Sequence, residues 1–283
     1  MNRLTAAVAA TVVAVFAQSA TLSPASANAA AITPETAVSV STTVAGWNAQ
    51  SALGSVAVPD AAALVSAKSP RERRFAREVV RRGDQDTSTS NIEHVRELQY
   101  RLRWAGVYTG PVTGYFGDLT SAAVKRYQRR ERIAVTGVAS RGTWRHLIPD
   151  STRGRNKVPN ACDRGKGWDV CYNRALHQVT LWHGGRLHNG WLVRGGDRGM
   201  ETRTGHFKVY YRDIDHVSGL YGSPMPYSQF FSGGQALHGS TYMMDPFSGH
   251  SHGCVNMYVE DARQLWAITA GVRLGVHVHG RWS

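Results

Sequence analysis

One cysteine lies among residue types that can make a thiol nucleophilic. Residues 251–256 read Ser-His-Gly-Cys-Val-Asn, so Cys254 directly follows a glycine and lies two positions after His252. A thiol attacks as its thiolate, which needs a base or a nearby cation, and His238 upstream is a second candidate base. Glycine at position 253 lets a substrate approach closely, and the N–H groups of Gly253 and Cys254 are candidate donors to an oxyanion. These residue types predict acyl transfer.

Two other interpretations of this segment do not involve acyl transfer. His250, His252 and Cys254 alternate along the chain, so they can project to one side of a strand as metal ligands. A zinc site needs three or four ligands, however, and a partner cysteine is lacking. Alternatively, Cys254 is a buried structural residue with histidines nearby by chance, because free cysteines are commonly buried.

The other two cysteines are close together in the chain. Cys162 and Cys171 lie in a segment rich in Gly and Asp, and they can close a small disulfide loop. Cys254 would then be the odd cysteine of an oxidising compartment, where a leftover thiol is either a mispairing hazard or a reactive group.

The N-terminus predicts export. Residues 4–17 form an apolar or small-residue run behind one basic residue, and small residues follow at 25–29. This pattern is typical of a secretory signal peptide, which we assign to residues 1–29. A membrane anchor is the alternative, but the run is shorter than the roughly 20 residues that a spanning helix needs. We therefore expect a protein of the cell wall or the extracellular space, without stable membrane insertion after cleavage.

The chain is basic throughout its later part. Its 283 residues contain 33 Lys and Arg against 20 Asp and Glu, a formal net charge of +13. Inside a cell this charge would suggest nucleic acid as a partner. Outside it, the available polyanions are wall polymers and anionic lipids, and a solvated basic surface remains an equally simple explanation. We expect no nucleic-acid partner.

The elements that position these residues divide the chain into several segments. Residues 30–90 predict a low-complexity linker with a basic end, in which residues 69–82 favour a short helix. From Asn91, a candidate cap, three helices alternate with Gly-rich turns, and Ser140 is the candidate cap of the third. Residues 91–149 therefore predict a small all-α module.

The Gly-rich turns carry a resemblance to a known family. Residues 106–117 read Gly-Val-Tyr-Thr-Gly-Pro-Val-Thr-Gly-Tyr-Phe-Gly, and Tyr127-Gln128 and Thr143-Trp144 follow in order. This pattern resembles the peptidoglycan-binding type 1 domain, which implies the glycan strands of the cell wall as a partner. Thr113 stands where that family usually has Asp, so the fold is better supported than the affinity for the wall.

Beyond a short basic connector, residues 160–283 predict a mostly β domain. Apolar and polar residues alternate over 175–182 and 206–211, and a Gly-Gly turn at 184–185 suggests a hairpin. Helical periodicity returns at residues 259–269, before a closing strand at 272–279. Residues 211–234 form either a lid over a cleft or a long ordered loop.

A second resemblance covers this β domain. Leu237-His238-Gly239, followed by the Ser-His-Gly-Cys-Val-Asn segment, is similar to the catalytic signature of the YkuD-type L,D-transpeptidases. Thr-Arg-Thr-Gly-His-Phe at 202–207 resembles a strand of that family, and Met225-Pro226-Tyr227 resembles the stretch lining its substrate channel. Arg203 replaces the usual proline, which we expect to loosen the turn without affecting the chemistry. The family implies a β-sandwich fold, and the whole chain is thus predicted to be a multidomain protein.

The resemblance also implies a reaction and residue roles. In that family a thiolate attacks the third residue of a peptidoglycan tetrapeptide stem, D-Ala leaves, and an acceptor amine completes a 3→3 crosslink without a cofactor. Carbapenems are implied as acylating inhibitors. Activity as an L,D-carboxypeptidase and an inactive, wall-binding role remain alternatives. The implied roles are nucleophile for Cys254, general base for His238, oxyanion-site neighbours for His252 and Gly253, an orienting carbonyl for Gly239, and substrate-side support for Tyr227 and Asn256.

Overall fold

The computed structural model describes residues 72–282. The predicted signal peptide and residues 30–71 of the predicted linker lie outside this range. Within residues 72–282, none of the helices combines the length and the apolar character that crossing a bilayer requires.

The first part of the described chain is the predicted three-helix module. Its helices are α1 (Val95–Trp104), α2 (Asp118–Arg130) and α3 (Arg141–Ser151). Each turns its apolar positions inward, as the three-to-four-residue spacing predicts. The buried residues of this module include Val95, Leu98, Leu102, Phe116, Val124, Tyr127, Trp144 and Leu147.

Helix α1 begins later than the sequence predicts, and with a different cap. The predicted cap, Asn91, lies before the helix, and the position preceding the helix is His94, which adopts a left-handed backbone conformation. The carboxylate of Asp86 accepts hydrogen bonds from the N–H groups of Val95 and Arg96 at 3.2 and 2.8 Å. A carboxylate from outside the helix thus satisfies the free donors of its first turn.

Residues 72–90 differ from the predicted linker end. No α-helix forms in residues 72–82, and Phe75 and Val80 are instead buried in the core of the helical module. The backbone of Val80 pairs with that of Ala139. The helix prediction was wrong here because burying these apolar side chains against the module outweighs local helix propensity.

The remaining chain forms a mostly β domain with two sheets, as predicted. A short helix, α4 (Asn160–Asp163), precedes it, and the helix α5 (Val259–Ile268) lies before its last strand. The strands are β1 (Trp168–Asn173), β2 (Gln178–His183), β3 (Arg186–Leu192), β4 (Gly205–Lys208), β5 (Tyr211–Val217), β6 (Pro224–Ser232), β7 (Gln235–Gly239), β8 (Val255–Met257) and β9 (Leu274–His279). One sheet has the strand order β3-β2-β1-β9-β4, and the other has the order β5-β6-β7-β8.

Two cores hold the described chain together. One lies within the β domain and joins Val170 and Trp191 of the first sheet with Leu237 and Val255 of the second, together with Leu265 of α5. The other is the core of the helical module, which continues onto the first sheet through Trp182, Leu187 and the cysteines at 162 and 171.

The two cysteines of the short loop are joined. Cys162 and Cys171 form a disulfide, with their Cα atoms 6.4 Å apart, and Cys254 remains free. The disulfide ties α4 to β1 where the β domain meets the helical module.

Candidate active site

The parallel pairing of β7 with β8 brings the segment of the predicted base close to the segment of the predicted nucleophile. His238 of β7 lies in register with Asn256 of β8, and Cys254 immediately precedes β8. On the other side of β8, the backbone of Arg194 exchanges two hydrogen bonds with that of Asn256, at 2.9 and 2.8 Å. Asn256, just after the turn that carries Cys254, is therefore held by backbone pairing on both sides.

The turn that carries Cys254 is fixed by Ser251 and Gly253. Ser251 Oγ donates to the carbonyl of Cys254 at 2.6 Å and accepts from the N–H of Gly253 at 3.1 Å. Gly253 has a φ of 118°, and a Cβ there would lie 2.5 Å from Nε2 of Gln235. Only glycine fits this position. Since its N–H already donates to Ser251, Cys254 supplies the remaining N–H of the predicted oxyanion pair.

The hydrogen bond of His238 sets its tautomer. Its Nδ1 lies 2.7 Å from the carbonyl oxygen of Gly239, which only accepts, so Nδ1 carries the proton. Burial lowers the pKa of His238 to about 4, although the hydrogen bond to Gly239 acts in the opposite direction. At neutral pH the ring is therefore uncharged, and its Nε2 presents a lone pair that can accept a proton.

The thiol is also uncharged in the resting site. Burial raises the pKa of Cys254 above its usual value, and a hydrogen bond from the backbone of Ala236 opposes this shift only partly. Its Sγ lies 3.9 Å from the carbonyl oxygen of Gly234. A neutral thiol and a neutral imidazole in the same cavity favour deprotonation during attack over a preformed thiolate.

A cavity of about 650 Å³ opens over these groups. His238 and Cys254 both line it, as do Leu220 and Tyr221 from the segment between β5 and β6. The ring of Tyr221 stacks on that of His252, with centroids 4.2 Å apart. Residues 211–234 are therefore an ordered β-hairpin whose tip forms one wall of the cavity.

The charged residues that line the cavity are positive. The side chains of Arg194 and Arg203 line the cavity, and no acidic residue of the described chain lines it with them. Nη1 of Arg203 donates to the carbonyl of Ser232 at 2.6 Å, which holds the guanidinium at the rim. Arg203, expected only to loosen a turn, thus contributes a cation to the site.

Of the predicted site residues, His238, His252, Cys254 and Asn256 line this cavity. Gly239, Gly253 and Tyr227 are not among its lining residues, although the carbonyl of Gly239 contacts His238 and Gly253 belongs to the turn that carries Cys254. Tyr227 instead packs at the edge of the β-domain core, with its ring 6.3 Å from that of Trp266. Its neighbour two positions earlier, Met225, lines the cavity in its place.

Gln235 was missed by the sequence analysis. Its Oε1 accepts from the N–H of Arg203 at 2.9 Å, and its Nε2 donates to the carbonyl of Glu201 at 3.1 Å. The same Nε2 would meet any Cβ at position 253. No local sequence pattern predicts this role, because it depends on the packing of β7 beside the turn at Gly253, which is distant in sequence.

The described residues contain one cluster with the spacing of metal ligands, and it does not include Cys254. Among residues 72–282, the three residues whose ligand atoms cluster closely enough for a metal are His94, Glu97 and Asp261, which are buried outside the cavity. Arg77 and Arg101 already pair with Glu97 at 2.8 and 2.7 Å. These three residues are therefore members of an ion-pair network.

Two family models match parts of this chain. Residues 91–147 match the model of a peptidoglycan binding domain, and residues 168–276 match that of the L,D-transpeptidase catalytic domain. A spore cortex-lytic enzyme of Bacillus cereus is 31% identical over 93 residues, which cover 33% of this chain and 34% of that enzyme. The chain thus spans about a third of the length of this curated relative.

Solved structures of L,D-transpeptidases are also similar. One from Stackebrandtia nassauensis is 25% identical, with a TM-score of 0.46, covering 74% of this chain and 98% of that one. An L,D-transpeptidase solved in complex with imipenem is 18% identical, with a TM-score of 0.36, covering 41% of this chain and 60% of that one.

Proposed function

We propose that this chain forms 3→3 crosslinks between peptidoglycan stems. It would do so by joining a domain of the peptidoglycan-binding family to a catalytic domain of the L,D-transpeptidase family. The observation that carries the proposal is the shared cavity of Cys254 and His238, in which a carbonyl fixes the imidazole tautomer. That arrangement provides a nucleophile and a base without any further group.

The first half of the reaction acylates the enzyme. Sγ of Cys254 attacks the carbonyl of the third residue of a tetrapeptide stem, while Nε2 of His238 accepts the thiol proton. The N–H of Cys254 donates to the oxyanion that forms. When the intermediate collapses, the C–N bond to D-Ala breaks, His238 returns the proton to the leaving amine, and a thioester remains.

The second half transfers the acyl group. The side-chain amine of another stem's third residue attacks the thioester, and His238 takes its proton. The C–S bond then breaks, and the thiol is restored with that proton. Each proton removed in one step is returned in the next, so the cycle balances without a cofactor.

We further propose that the protein acts outside the cell, with its helical module on the wall. The peptidoglycan-binding family match and the net charge of +13 support this location. Binding to the polymer would raise the local concentration of stems at the active site. Cosedimentation of the purified chain with insoluble peptidoglycan tests this role independently of catalysis.

Mass spectrometry of the products tests the reaction. The mature chain is incubated with disaccharide-tetrapeptide, beside the Cys254→Ala and His238→Gln variants. We expect a dimer lacking one D-Ala from the wild type, and its loss by about 10³-fold or more in both variants. The exposed His146 of α3 supplies a matched control, since His146→Gln leaves the cavity unchanged.

The alternative products contradict the proposal in different ways. Tripeptide monomer without dimer means that water is the acceptor and that the enzyme is an L,D-carboxypeptidase. Retained binding to peptidoglycan with no product from any stem means a wall-binding protein with an inactive catalytic domain.

A further inference from the structure

One wall of the catalytic cavity is formed by a long connection. Residues 240–251, here called the rim loop, run from the end of β7 to the turn that carries Cys254. Tyr242 and His250 of this loop line the cavity. A connection of this length with no helix or strand of its own needs contacts from elsewhere to hold one conformation.

The helical module supplies a polar contact to the middle of the rim loop. The hydroxyl of Tyr100, in α1, donates to the two carboxylate oxygens of Asp245 at 2.9 and 3.1 Å. Burial and the charge of Asp245 raise the pKa of Tyr100, so the hydroxyl stays protonated as a donor. Oδ1 of Asp245 also accepts from the N–H of Phe247 at 2.9 Å, which closes a turn within the loop.

Aromatic packing surrounds this hydrogen bond. The ring of Phe247 lies 4.6 Å from that of Tyr100 and 5.9 Å from that of Trp104, also in α1. The guanidinium of Arg153, just beyond α3, lies 4.3 Å from the centre of the Trp104 ring. The rim loop thus inserts one side chain into an aromatic cluster of the helical module.

A second anchor is apolar. Ile92, just before α1, forms a buried cluster with Met243 of the rim loop and Tyr258 of the β domain. On the other side of the loop, Nη1 of Arg194 donates to the carbonyl of Ser248 at 2.8 Å. The rim loop is therefore held between the helical module and the strand segment that pairs with β8.

We propose that Tyr100 is a positioning residue of the active site. Through Asp245 it fixes the rim loop, and with it Tyr242 and His250, in the geometry that receives the substrate. The helical module then shapes the catalytic cavity as well as binding the wall polymer. This proposal rests on the proposed function, because the cavity it shapes is the one assigned to the stem peptides.

A soluble substrate distinguishes positioning from tethering. If the module were only a tether, changes in it would affect polymeric peptidoglycan and leave a soluble disaccharide-tetrapeptide untouched. We expect Tyr100→Phe, which keeps the ring and removes the donor, to raise KM for the soluble substrate about tenfold while kcat changes less than about twofold. Asp118→Asn, in α2 of the same module, is the control, because this exposed carboxylate pairs with Arg82 at the surface.

Rescue by a conservative change separates this role from general destabilisation. Asp245→Ala removes the acceptors of both Tyr100 and the Phe247 N–H, so it should raise KM at least as much as Tyr100→Phe, whereas Asp245→Asn keeps one carbonyl oxygen and should stay within about threefold of the wild type. The double variant Tyr100→Phe with Asp245→Ala should be no worse than Asp245→Ala alone, since the contact with Tyr100 is already lost in that variant.

Hydrogen exchange tests the anchoring without relying on activity. We expect Tyr100→Phe to speed deuterium uptake several-fold in peptides covering residues 240–251, and to leave peptides from β6 unchanged. Equal uptake in variant and wild type overturns the anchoring, and faster uptake with an unchanged KM overturns the positioning role. A wild type that makes no product contradicts the proposed function, while the exchange result still decides the anchoring.

Discussion

The ring of Tyr221, at the tip of the β5–β6 hairpin, lies flat against the ring of His252, with a 19° angle between their planes. The stack joins the hairpin to the segment that carries Cys254, and both rings line the cavity that the thiol shares. Leu220 beside it is among the most exposed apolar side chains of the described chain, which is typical of a surface that receives a ligand.

Loss of this stack should open the cavity. We expect Tyr221→Ala to raise KM for the tetrapeptide about three- to tenfold, because an aromatic pair contributes about 0.5–1.5 kcal/mol beyond its buried area. Alkylation of Cys254 by iodoacetamide should become faster in the same variant. Tyr221→Phe retains the ring and should behave as the wild type, and a KM that responds equally to both changes would argue against stacking as the cause.

The pH dependence of the reaction should reflect a neutral pair. His238 has its pKa lowered to about 4, so the base stays unprotonated as the pH falls through the range where an ordinary histidine becomes charged. We expect kcat/KM to be flat from neutral pH down to about pH 5 and to decline near pH 4. Because burial raises the pKa of Cys254, alkylation of the resting enzyme should keep rising well above pH 8.

Stopped-flow alkylation and initial-rate profiles check the two halves of this prediction separately. A kcat/KM that halves near pH 6.5 would mean that His238 titrates as in solution. A plateau of alkylation already at neutral pH would mean that the site holds a thiolate in its resting state.

The sequence located the residues of the candidate site more readily than the contacts that surround them. The Ser-His-Gly-Cys-Val-Asn segment and His238 could be found because a short pattern that combines glycine, a thiol and imidazoles is typical of nucleophilic catalysis. The apolar periodicity of the sequence predicted the helices α1, α2, α3 and α5, with ends within a few residues of those observed.

What the sequence could not predict depends on contacts between distant segments. Asp86 caps α1 from outside the helix, and Gln235 packs beside the turn at Gly253. Tyr227 was expected at the cavity but does not line it. Alternation along β6 decides which side chains face the cavity, and a positive φ of 59° at Tyr227 breaks that alternation. The local composition of the chain predicts none of these three arrangements.

The two arginines of the cavity predict a preference for anionic stems. Arg194 and Arg203 line a cavity to which no acidic residue of the described chain contributes, so carboxylate groups of the substrate should be favoured there. We expect Arg203→Gln to raise KM about tenfold for stems with free carboxylates and to change it little for amidated stems. The comparison is made at low and at high salt, since salt should weaken this preference. An equal effect of the variant on both kinds of stem would show that Arg203 acts through the hydrogen bond to Ser232 alone.

The buried ion pairs of Glu97 should make the helical module and the β domain unfold together. Glu97 of α1 accepts from Arg77 at 2.8 Å and from Arg101 at 2.7 Å, and all three side chains are almost wholly buried. Nη2 of both arginines donates to the carbonyl of Gly190, in β3 of the β domain. Burial alone would raise the pKa of Glu97, but the charges of the two arginines outweigh it and lower the pKa to about 2.

Glu97→Gln therefore leaves the buried guanidinium of Arg101 without its paired anion and leaves that of Arg77 with Asp261 alone, at 3.7 Å. We expect it to lower the free energy of unfolding by about 3–5 kcal/mol, because breaking a buried pair leaves uncompensated charge. The exposed pair of Arg82 and Asp118, at 2.9 Å, is the matched control, and Asp118→Asn should cost less than about 1 kcal/mol. Urea unfolding followed by tryptophan fluorescence and far-ultraviolet circular dichroism should give one coincident transition in the wild type. Two separate transitions, or a cost for Glu97→Gln no greater than that of the surface control, would contradict the coupling of the two domains.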